Sequence, residues 1–372
     1  MFVWQDQDWP RFQWDAQSLL ALLGEARHKQ GRFLGQMARL GFDLKLEAEL
    51  RATTEDVVKT SAIEGEQLDF ASVRSSVARR LGLPAGGVPS IDSKVEGVVE
   101  MMLDAMQAHA KPLTAERLFG WHAALFPSGY SGLHQITVGN WRKDSEGPMQ
   151  VVSGPIGRRK VHFEAPPAVR VADEMNAFLA WFNAPPATDG LLRSGIAHLW
   201  FVTIHPFDDG NGRIARAIAD LALAQMEDTG QRFYSVSAQI QRERARYYEV
   251  LEHTQKGSLD ITEWLSWFVV CFSRAIDMAE EQSRSVLRKA EFWRRVSEEN
   301  LSARQKTVLN RFLGGFEGNL TANKWAALAR CSVDTAARDI NDLIARGLLV
   351  RNPGGSKRTS YSLVGLEPEA PD

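Results

Sequence analysis

A dense group of chemically versatile side chains lies at residues 205–216, which read HPFDDGNGRIAR. Apolar segments with helical spacing, LLRSGIAHLWFVTI and IARAIADLALAQM, flank this stretch and predict a helix–loop–helix junction with its loop at Pro206 to Gly210. Gly210 and Gly212 permit backbone conformations that expose successive N–H groups where the second helix begins. The helix dipole favours an anion at the same place, so the sequence predicts a phosphate-binding site.

The side chains of this stretch supply the groups that phosphoryl or nucleotidyl transfer requires. Arg213 and Arg216 are three residues apart on one helix face, so both guanidinium groups can reach the same anion. Asp209 offers a lone carboxylate beside the phosphates, which is the usual protein contribution to a Mg²⁺ site. His205 ends the first helix and can act as a general base near neutral pH, while Phe207 anchors the loop in the core. Together these groups indicate phosphoryl or nucleotidyl transfer.

Other motifs fit this stretch less well. The sequence has no GxxxxGK[ST], which excludes a P-loop, and an EF-hand counted from Asp208 would place Ala219 where a glutamate is required. A purely structural loop with solvated charges is the remaining alternative, and the convergence of several independent residue types disfavours it. The stretch resembles the signature of the Fic family, HxFx(D/E)GNGRxxR, and matches it at every fixed position.

This resemblance implies an α-helical domain that transfers AMP from ATP to a hydroxyl group of a target protein. It implies that His205 deprotonates the hydroxyl, which attacks the α-phosphate, and that Asp209 holds Mg²⁺. Arg216 would bind the γ-phosphate. The remaining nucleotide-binding residues implied by the match are Gly210, Asn211, Gly212 and Arg213.

A predicted β-hairpin and a tyrosine pair extend the resemblance. GNWR at 139–142 leads into two β-like runs, MQVV and KVHF, around a Gly-Pro-Ile-Gly turn, which predict a hairpin at about 149–163. In the family this hairpin is a flap against which the target's segment lies as an added strand, although an ordinary surface hairpin is the alternative. The match adds Val152, Ser153 and Gly154 to the nucleotide site. Tyr247 and Tyr248 match a tyrosine pair that borders the nucleotide in relatives, and core packing is an equally good interpretation.

A second short motif, TSAIEG at 60–65, predicts inhibition. Thr60 and Glu64 are i,i+4 on a helix that Gly65 ends, and a glutamate in the last turn opposes the helix dipole by roughly 0.3–1 kcal/mol. Such a placement indicates a cationic partner elsewhere. The stretch resembles the family's inhibitory motif, (S/T)xxxE(G/N), which implies that Glu64 pairs with Arg216 in the space of the γ-phosphate. There are two alternatives to this inhibitory role. Glu64 could be a solvated residue near a helix end, or it could orient a water for the removal of AMP.

Bulk properties limit the class of protein. A chain of 372 residues with 44% hydrophobic and 24% charged residues predicts two or three domains with sizeable cores. The net charge of −2 excludes a protein that binds polyanions through its overall charge, so any binding of nucleic acid must depend on a local basic patch. Two distant cysteines, Cys271 and Cys331, indicate reduced thiols of a cytosolic protein. We find no signal-peptide pattern and no apolar run of membrane-spanning length, so the sequence predicts a cytoplasmic protein.

The predicted fold class is mainly α, a Fic-type helical bundle with a small β-hairpin flap plus a C-terminal winged helix-turn-helix domain. Residues 301–361 carry ten Lys/Arg against four Asp/Glu, and their order of helix, short turn, helix and basic hairpin is that of a winged helix. DNA binding through Arg338, Arg346, Lys357 and Arg358 is therefore a second functional hypothesis, and a homodimer is a further partner hypothesis by analogy with relatives. The predicted domains are 1–93 (N-terminal cap with an inhibitory helix at about 45–65), 94–275 (Fic core), 276–300 (linker helix) and 301–372 (winged helix and tail).

Overall fold

The computed structural model describes residues 2–83, 92–143, 147–153, 158, 160–296, 301–313, 320–353 and 359–364. The chain is mainly helical, which confirms the predicted fold class at that level. The helices are α1 (Ala16–Ala38), α2 (Phe42–Ile63), α3 (Phe70–Arg80), α4 (Ser93–Gln107), α5 (Ala115–Leu125), α6 (Ala168–Asn183), α7 (Gly190–Ile204), α8 (Asn211–Glu227), α9 (Val236–Arg242), α10 (Arg244–Gln255), α11 (Thr262–Val296), α12 (Ala303–Leu313), α13 (Ala322–Ala329) and α14 (Val333–Ala345). None of the helices in these described ranges is long and apolar enough to cross a membrane.

The chain divides into two compact units. Unit 1 comprises Met1–Ala38 and Lys45–Glu280, and unit 2 comprises Arg39–Leu44 and Glu281–Asp372. The boundary predicted between residues 275 and 276 falls inside α11, which is continuous from Thr262 to Val296.

Helices α7 and α8 pack along each other at the centre of unit 1. Every residue of α7 from Leu191 to Ile204 is buried, because its apolar residues occupy all sides of the helix rather than one stripe. The Ser194 hydroxyl donates to the Ala219 carbonyl at 2.9 Å, so a buried polar contact joins the two helices. A Cβ atom at Gly195 would lie 3.0 Å from the Phe268 ring, so the glycine allows α11 to approach α7 closely. The junction between α7 and α8 is thus held at one end of a tightly packed helix pair.

Two short antiparallel hairpins lie in the chain between α5 and α6. Strand β1 (Tyr130–Ser131) pairs with β2 (His134–Gln135), and β3 (Gln150–Ser153) pairs with β4 (Lys160–Glu164). The register of the second pair shifts between Val151 and Val152. The second pair lies where the flap hairpin was predicted, and residues 154–157 and 159 of its turn lie outside the described residues.

The tryptophan-rich N-terminus packs against the root of the second hairpin. Trp4 is buried with Phe163 of β4, and its indole N–H donates to the Glu164 carbonyl at 2.7 Å. The Trp9 indole donates to the Glu174 carboxylate of α6 at 2.8 Å. The first residues therefore contact the point where β4 leads into α6.

Unit 2 has its own core, in which Trp325 is fully buried. The carboxylate of Asp339 accepts hydrogen bonds from the Trp325 indole at 3.3 Å and from Arg304 at 2.9 and 3.0 Å. Helices α13 and α14 are followed by an antiparallel pair, β5 (Leu349–Arg351) and β6 (Tyr361–Leu363). This is the element order that motivated the winged-helix hypothesis, which stays a prediction.

Candidate functional site

The loop between α7 and α8 is bounded by two residues with left-handed backbone. His205 ends α7 with φ 52°, and Gly210 precedes α8 with φ 81°. Phe207 is buried between them and stacks on the His122 ring with a centroid distance of 4.2 Å. The Asn211 side chain is buried and bonds both backbone groups of Phe207, accepting from its N–H at 3.0 Å and donating to its carbonyl at 2.8 Å. The amide side chain of Asn211 therefore holds the loop, and the contact of this residue with phosphate stays a prediction.

The N-terminus of α8 presents free hydrogen-bond donors. In the described part of the chain, the backbone N–H groups of Asn211, Gly212 and Arg213 have no hydrogen-bond partner, and the first bond of the helix runs from Ile214 to the Gly210 carbonyl at 3.0 Å. Such a helix start attracts anions. The Glu64 carboxylate lies against it, since a Cβ atom at Gly212 would be 2.2 Å from Oε1 of Glu64.

Arg216 connects this helix to the end of α2. Its side chain is buried, and Nη2 donates to Oε1 of Glu64 at 2.7 Å. Nε donates to the Thr60 hydroxyl at 2.7 Å, and Nη2 also donates to the Thr60 carbonyl at 2.9 Å. Burial acts to lower the pKa of Arg216, but the neighbouring Glu64 raises it, so the guanidinium is charged. The structure thus brings Thr60 and Glu64 into contact with Arg216, which lies more than 150 residues away from both in the chain.

The other arginine of the junction has a carboxylate partner that sequence analysis missed. Nη1 of Arg213 donates to Oε2 of Glu66 at 2.9 Å, with the arginine side chain 8% exposed. Glu66 follows Glu64 by two residues just beyond α2, so the two glutamates on either side of Gly65 each pair with one arginine of α8. The only sequence signal was the proximity of Glu66 to the inhibitory motif.

The imidazole of His205 is neutral and has an unprotonated Nε2. Its Nδ1 lies 3.2 Å from the Val202 carbonyl, which can only accept, so Nδ1 carries the hydrogen and Nε2 presents a lone pair. Burial, opposed by the hydrogen bond to Val202 and assisted by the nearby Arg142, lowers the pKa of His205 to about 4. The imidazole is therefore neutral at pH 7.

Asp208 and Asp209 are tied to the segment around the first hairpin. The Ser131 hydroxyl donates to Oδ2 of Asp209 at 2.5 Å, and the Gly210 N–H meets its Oδ1 at 2.6 Å. Asp208 accepts from the Thr137 N–H at 2.8 Å. The described residues contain no group of three or more His, Cys, Asp or Glu able to hold a metal. Asp209 alone fits the manner in which Mg²⁺ is bound by one carboxylate together with substrate phosphates.

The two tyrosines differ in position. Tyr247 is buried, its hydroxyl lies 3.0 Å from Nε2 of His198, and its ring packs against Trp264 and Trp267. Tyr248 is partly exposed and donates from its hydroxyl to the Ile63 carbonyl at 3.3 Å. Tyr247 is therefore part of the core, and Tyr248 contacts the last residue of α2.

Side chains of the β3–β4 hairpin contact α10. The Ser153 hydroxyl is 2.6 Å from Nε2 of His162, whose Nδ1 is 2.6 Å from the Glu252 carboxylate. Partial burial acts to raise the pKa of Glu252, but hydrogen bonds from Lys256 and His162 lower it to about 2. Val152 is exposed, and within the described ranges no hydrogen bond joins it or Ser153 to residues 205–216. Gly154 lies outside the described residues.

The candidate DNA-binding residues lie in unit 2. Arg338 is exposed on α14, whereas Arg346 donates to Asp342 at 3.0 Å. Lys357 and Arg358 lie outside the described residues.

Comparison with known proteins assigns a family to the central part of the chain. Residues 112–223 match the Fic/DOC family, and residues 2–83 match a family described as a domain of unknown function. A protein adenylyltransferase Fic of Nematostella vectensis is 25% identical over 229 residues, which are 60% of this chain and 48% of that protein. A protein adenylyltransferase of Caenorhabditis briggsae is 24% identical over 205 residues, 55% of this chain and 37% of that protein. The chain thus spans about half or less of the length of these relatives.

A solved structure shares the fold over nearly the whole chain. A Fic family protein from Desulfovibrio desulfuricans superposes with a TM-score of 0.56 at 22% identity, covering 95% of this chain and 98% of that one. At this identity the likeness concerns the fold alone. Residues 112–223, which contain the junction between α7 and α8, therefore match the Fic/DOC family, as the motif at residues 205–216 predicted.

Proposed function

We propose that the chain is a protein adenylyltransferase that transfers AMP from ATP to a hydroxyl group of a target protein and that inhibits itself through Glu64. The observation that carries this proposal is the convergence of three free amides and two arginines at the start of α8, next to a neutral imidazole with a free Nε2. The relatives named protein adenylyltransferase support the same activity.

In the proposed reaction, the ATP phosphates lie against the amides of Asn211, Gly212 and Arg213, with Arg216 on the terminal phosphate. Nε2 of His205 takes the proton of the target hydroxyl as its oxygen attacks the α-phosphorus. The bond from that phosphorus to the bridging oxygen breaks, and pyrophosphate leaves. Asp209 would hold Mg²⁺, which neutralises charge on the phosphates when bound.

In this proposal, inhibition arises because the Glu64 carboxylate and an ATP phosphate compete for the same position at the start of α8. The Glu64 carboxylate bonds Arg216 and lies against Gly212, where an ATP phosphate would bind. Two anions repel each other there, so ATP must displace the carboxylate or bind in an unproductive pose. The same carboxylate is near enough to the site to orient a water for removal of AMP, which we include in the proposal.

The target is proposed to lie along the exposed edge of β3 and to offer a Ser, Thr or Tyr hydroxyl. All four residues of β3 are exposed, and an edge strand binds an extended segment mainly through its main chain. Because such a contact uses the main chain of the bound segment, targets of different sequence can bind in the same way.

The test is label transfer from ATP labelled at the α-phosphate, in the presence of Mg²⁺, to the protein itself or to lysate proteins. Glu64→Gly should transfer strongly, and Glu64→Gly/His205→Ala should not, although it should bind ATP with an affinity within about threefold because His205 moves a proton rather than gripping phosphate. A Glu64→Gly protein that stays silent refutes the proposed activity. Transfer at the same rate without His205 refutes its role as the base.

The order of elements in unit 2 favours DNA binding as the second candidate function. A gel-shift series at several salt concentrations tests it, because phosphate contacts weaken steeply as salt rises. Binding with a salt slope that falls in Arg338→Ala supports this function, and absence of any shift at low salt removes it.

A further inference from the structure

Arg142 has contacts that its position in the sequence does not suggest. Its side chain is 3% exposed, and Nε donates to the His205 carbonyl at 2.8 Å. Its backbone N–H donates to the Pro206 carbonyl at 2.9 Å. Nη2 donates to the Pro166 carbonyl, two residues beyond the end of β4. One residue therefore holds two consecutive carbonyls of the catalytic loop and one carbonyl at the root of the flap.

The backbone at His205 needs such support. Its φ of 52° is in the left-handed region, which residues other than glycine seldom adopt. The carbonyls at the end of a helix lack intrahelical partners, so a donor from elsewhere must satisfy them when they are buried. Because the backbone conformation of His205 sets the direction of its imidazole, a donor on its carbonyl also determines where Nε2 points.

We propose that Arg142 is a positioning residue for the base: its guanidinium holds His205 in the left-handed conformation and fixes the imidazole relative to the root of the flap. This inference rests on the proposed function, because it concerns the residue assigned to proton removal. Arg142 touches neither the nucleotide nor the target in this account, and it acts through the His205 backbone.

The charge of Arg142 is a second, separable effect on His205. The charged groups that face the imidazole are Arg142, which lowers its pKa, and Asp209 and Glu64, which raise it. Removing the arginine charge should therefore raise the pKa of His205, whereas a lysine should leave it nearly unchanged. Geometry and charge can thus be told apart by two substitutions at one position.

A matched control is available at the other end of α7. Arg193 is 7% exposed, and its Nη2 donates to the carbonyls of Phe182 at 2.5 Å and Ala184 at 2.8 Å. It is thus also a buried arginine that satisfies carbonyls at a helix end. Arg193→Met should lower the melting temperature without a change in kcat, since α7 separates it from His205.

The experiment measures kcat, the KM for ATP and the NMR titration of the His205 imidazole in Glu64→Gly protein. A misplacement of the base by about 1 Å can cost roughly 100-fold in rate, so Arg142→Met should lose about 100-fold in kcat with KM changed by less than about threefold. Arg142→Lys, which keeps the charge and one donor, should recover about tenfold of that loss and the parent titration midpoint. Arg142→Met should titrate at higher pH.

The inference is overturned if Arg142→Met keeps kcat within about threefold of its parent, or if it loses ATP affinity and kcat together. It is also overturned if the His205 resonances and midpoint are the same in all variants, a readout that needs no activity. If Arg142→Met does not fold, Arg142→Lys still tests the inference through its kcat and through the His205 resonances. An inactive Glu64→Gly parent contradicts the proposed function, and the titration then still tests the positioning role.

Discussion

Replacing Glu64 by glutamine is the sharpest perturbation of the junction, because it removes the charge and keeps the size of the side chain. In the native protein Nη2 of Arg216 lies 2.7 Å from Oε1 of Glu64, and the two side chains are 2% and 33% exposed. Without the carboxylate, a buried guanidinium and the start of α8 face each other with no anion between them. We expect the nucleotide-free protein to be less stable and ATP to bind more tightly.

The size of both effects follows from the burial of the pair. Removing one partner of a fully buried pair costs about 3–5 kcal/mol, and an exposed pair contributes about 0–1 kcal/mol. Glu64 is one-third exposed, so the free energy of unfolding should fall by about 1–2 kcal/mol, or about 2–8 °C in melting temperature. The same energy no longer opposes the nucleotide, so ATP affinity should rise about 5- to 30-fold.

Thermal unfolding with and without ATP, together with calorimetric titration of ATP, measures both quantities. Glu47→Gln is the matched control, because Glu47 is exposed on the same helix and should change neither. ATP should return the Glu64→Gln protein to at least the melting temperature of the ATP-bound native protein. A variant that melts like the native protein and binds ATP no more tightly would refute the competition argument.

Three further perturbations test the surroundings of the site. Glu66→Gln, added to the protein that lacks the inhibitory carboxylate, should raise ATP affinity by a further factor of about 2–5 by freeing Arg213, and an unchanged Kd contradicts this. Asp209→Ala should lose the Mg²⁺ dependence of ATP binding, and a retained dependence removes the assignment. Burial lowers the pKa of His122 to about 4 and of His198 to about 3, so between pH 6.5 and 5 the unfolded chain binds protons that the folded chain does not. Each should therefore take about 2 kcal/mol from the free energy of unfolding over that interval. Denaturant unfolding measured at pH 6.5 and at pH 5 should show that the His198→Phe protein loses about 2 kcal/mol less stability between the two pH values than the native protein does.

Local sequence information was sufficient to predict the junction. The apolar helices on either side of residues 205–216, and the glycine at position 210, predict where the chain must turn, and the structure has α7 end at Ile204 and α8 begin at Asn211. The side chain of Asn211 shows the limit of this information. The motif resemblance implied a nucleotide contact for this residue, but only the path of the loop reveals that its side chain bonds the backbone of Phe207.

Contacts between distant segments could not be derived from spacing. The pair of Glu64 with Arg216 was expected only because a motif resemblance linked two segments 152 residues apart. No comparable pattern marks Ser131 as the partner of Asp209, since a single serine in a short hairpin has no distinguishing neighbours. Long-range polar contacts of this kind depend on the packing of whole helices.

The start of α8 explains why a glutamate at the end of α2 serves both stability and the proposed inhibition. Three free amides and two arginines create a region of positive electrostatic potential, and these groups are part of the fold whether or not nucleotide is bound. An empty site of this kind is costly, because the charges of like sign repel and the donors lack acceptors. The carboxylates of Glu64 and Glu66 reduce this cost, but to do so they must lie where an ATP phosphate is proposed to bind. Any change that opens the site to ATP by removing them should therefore also weaken the nucleotide-free fold.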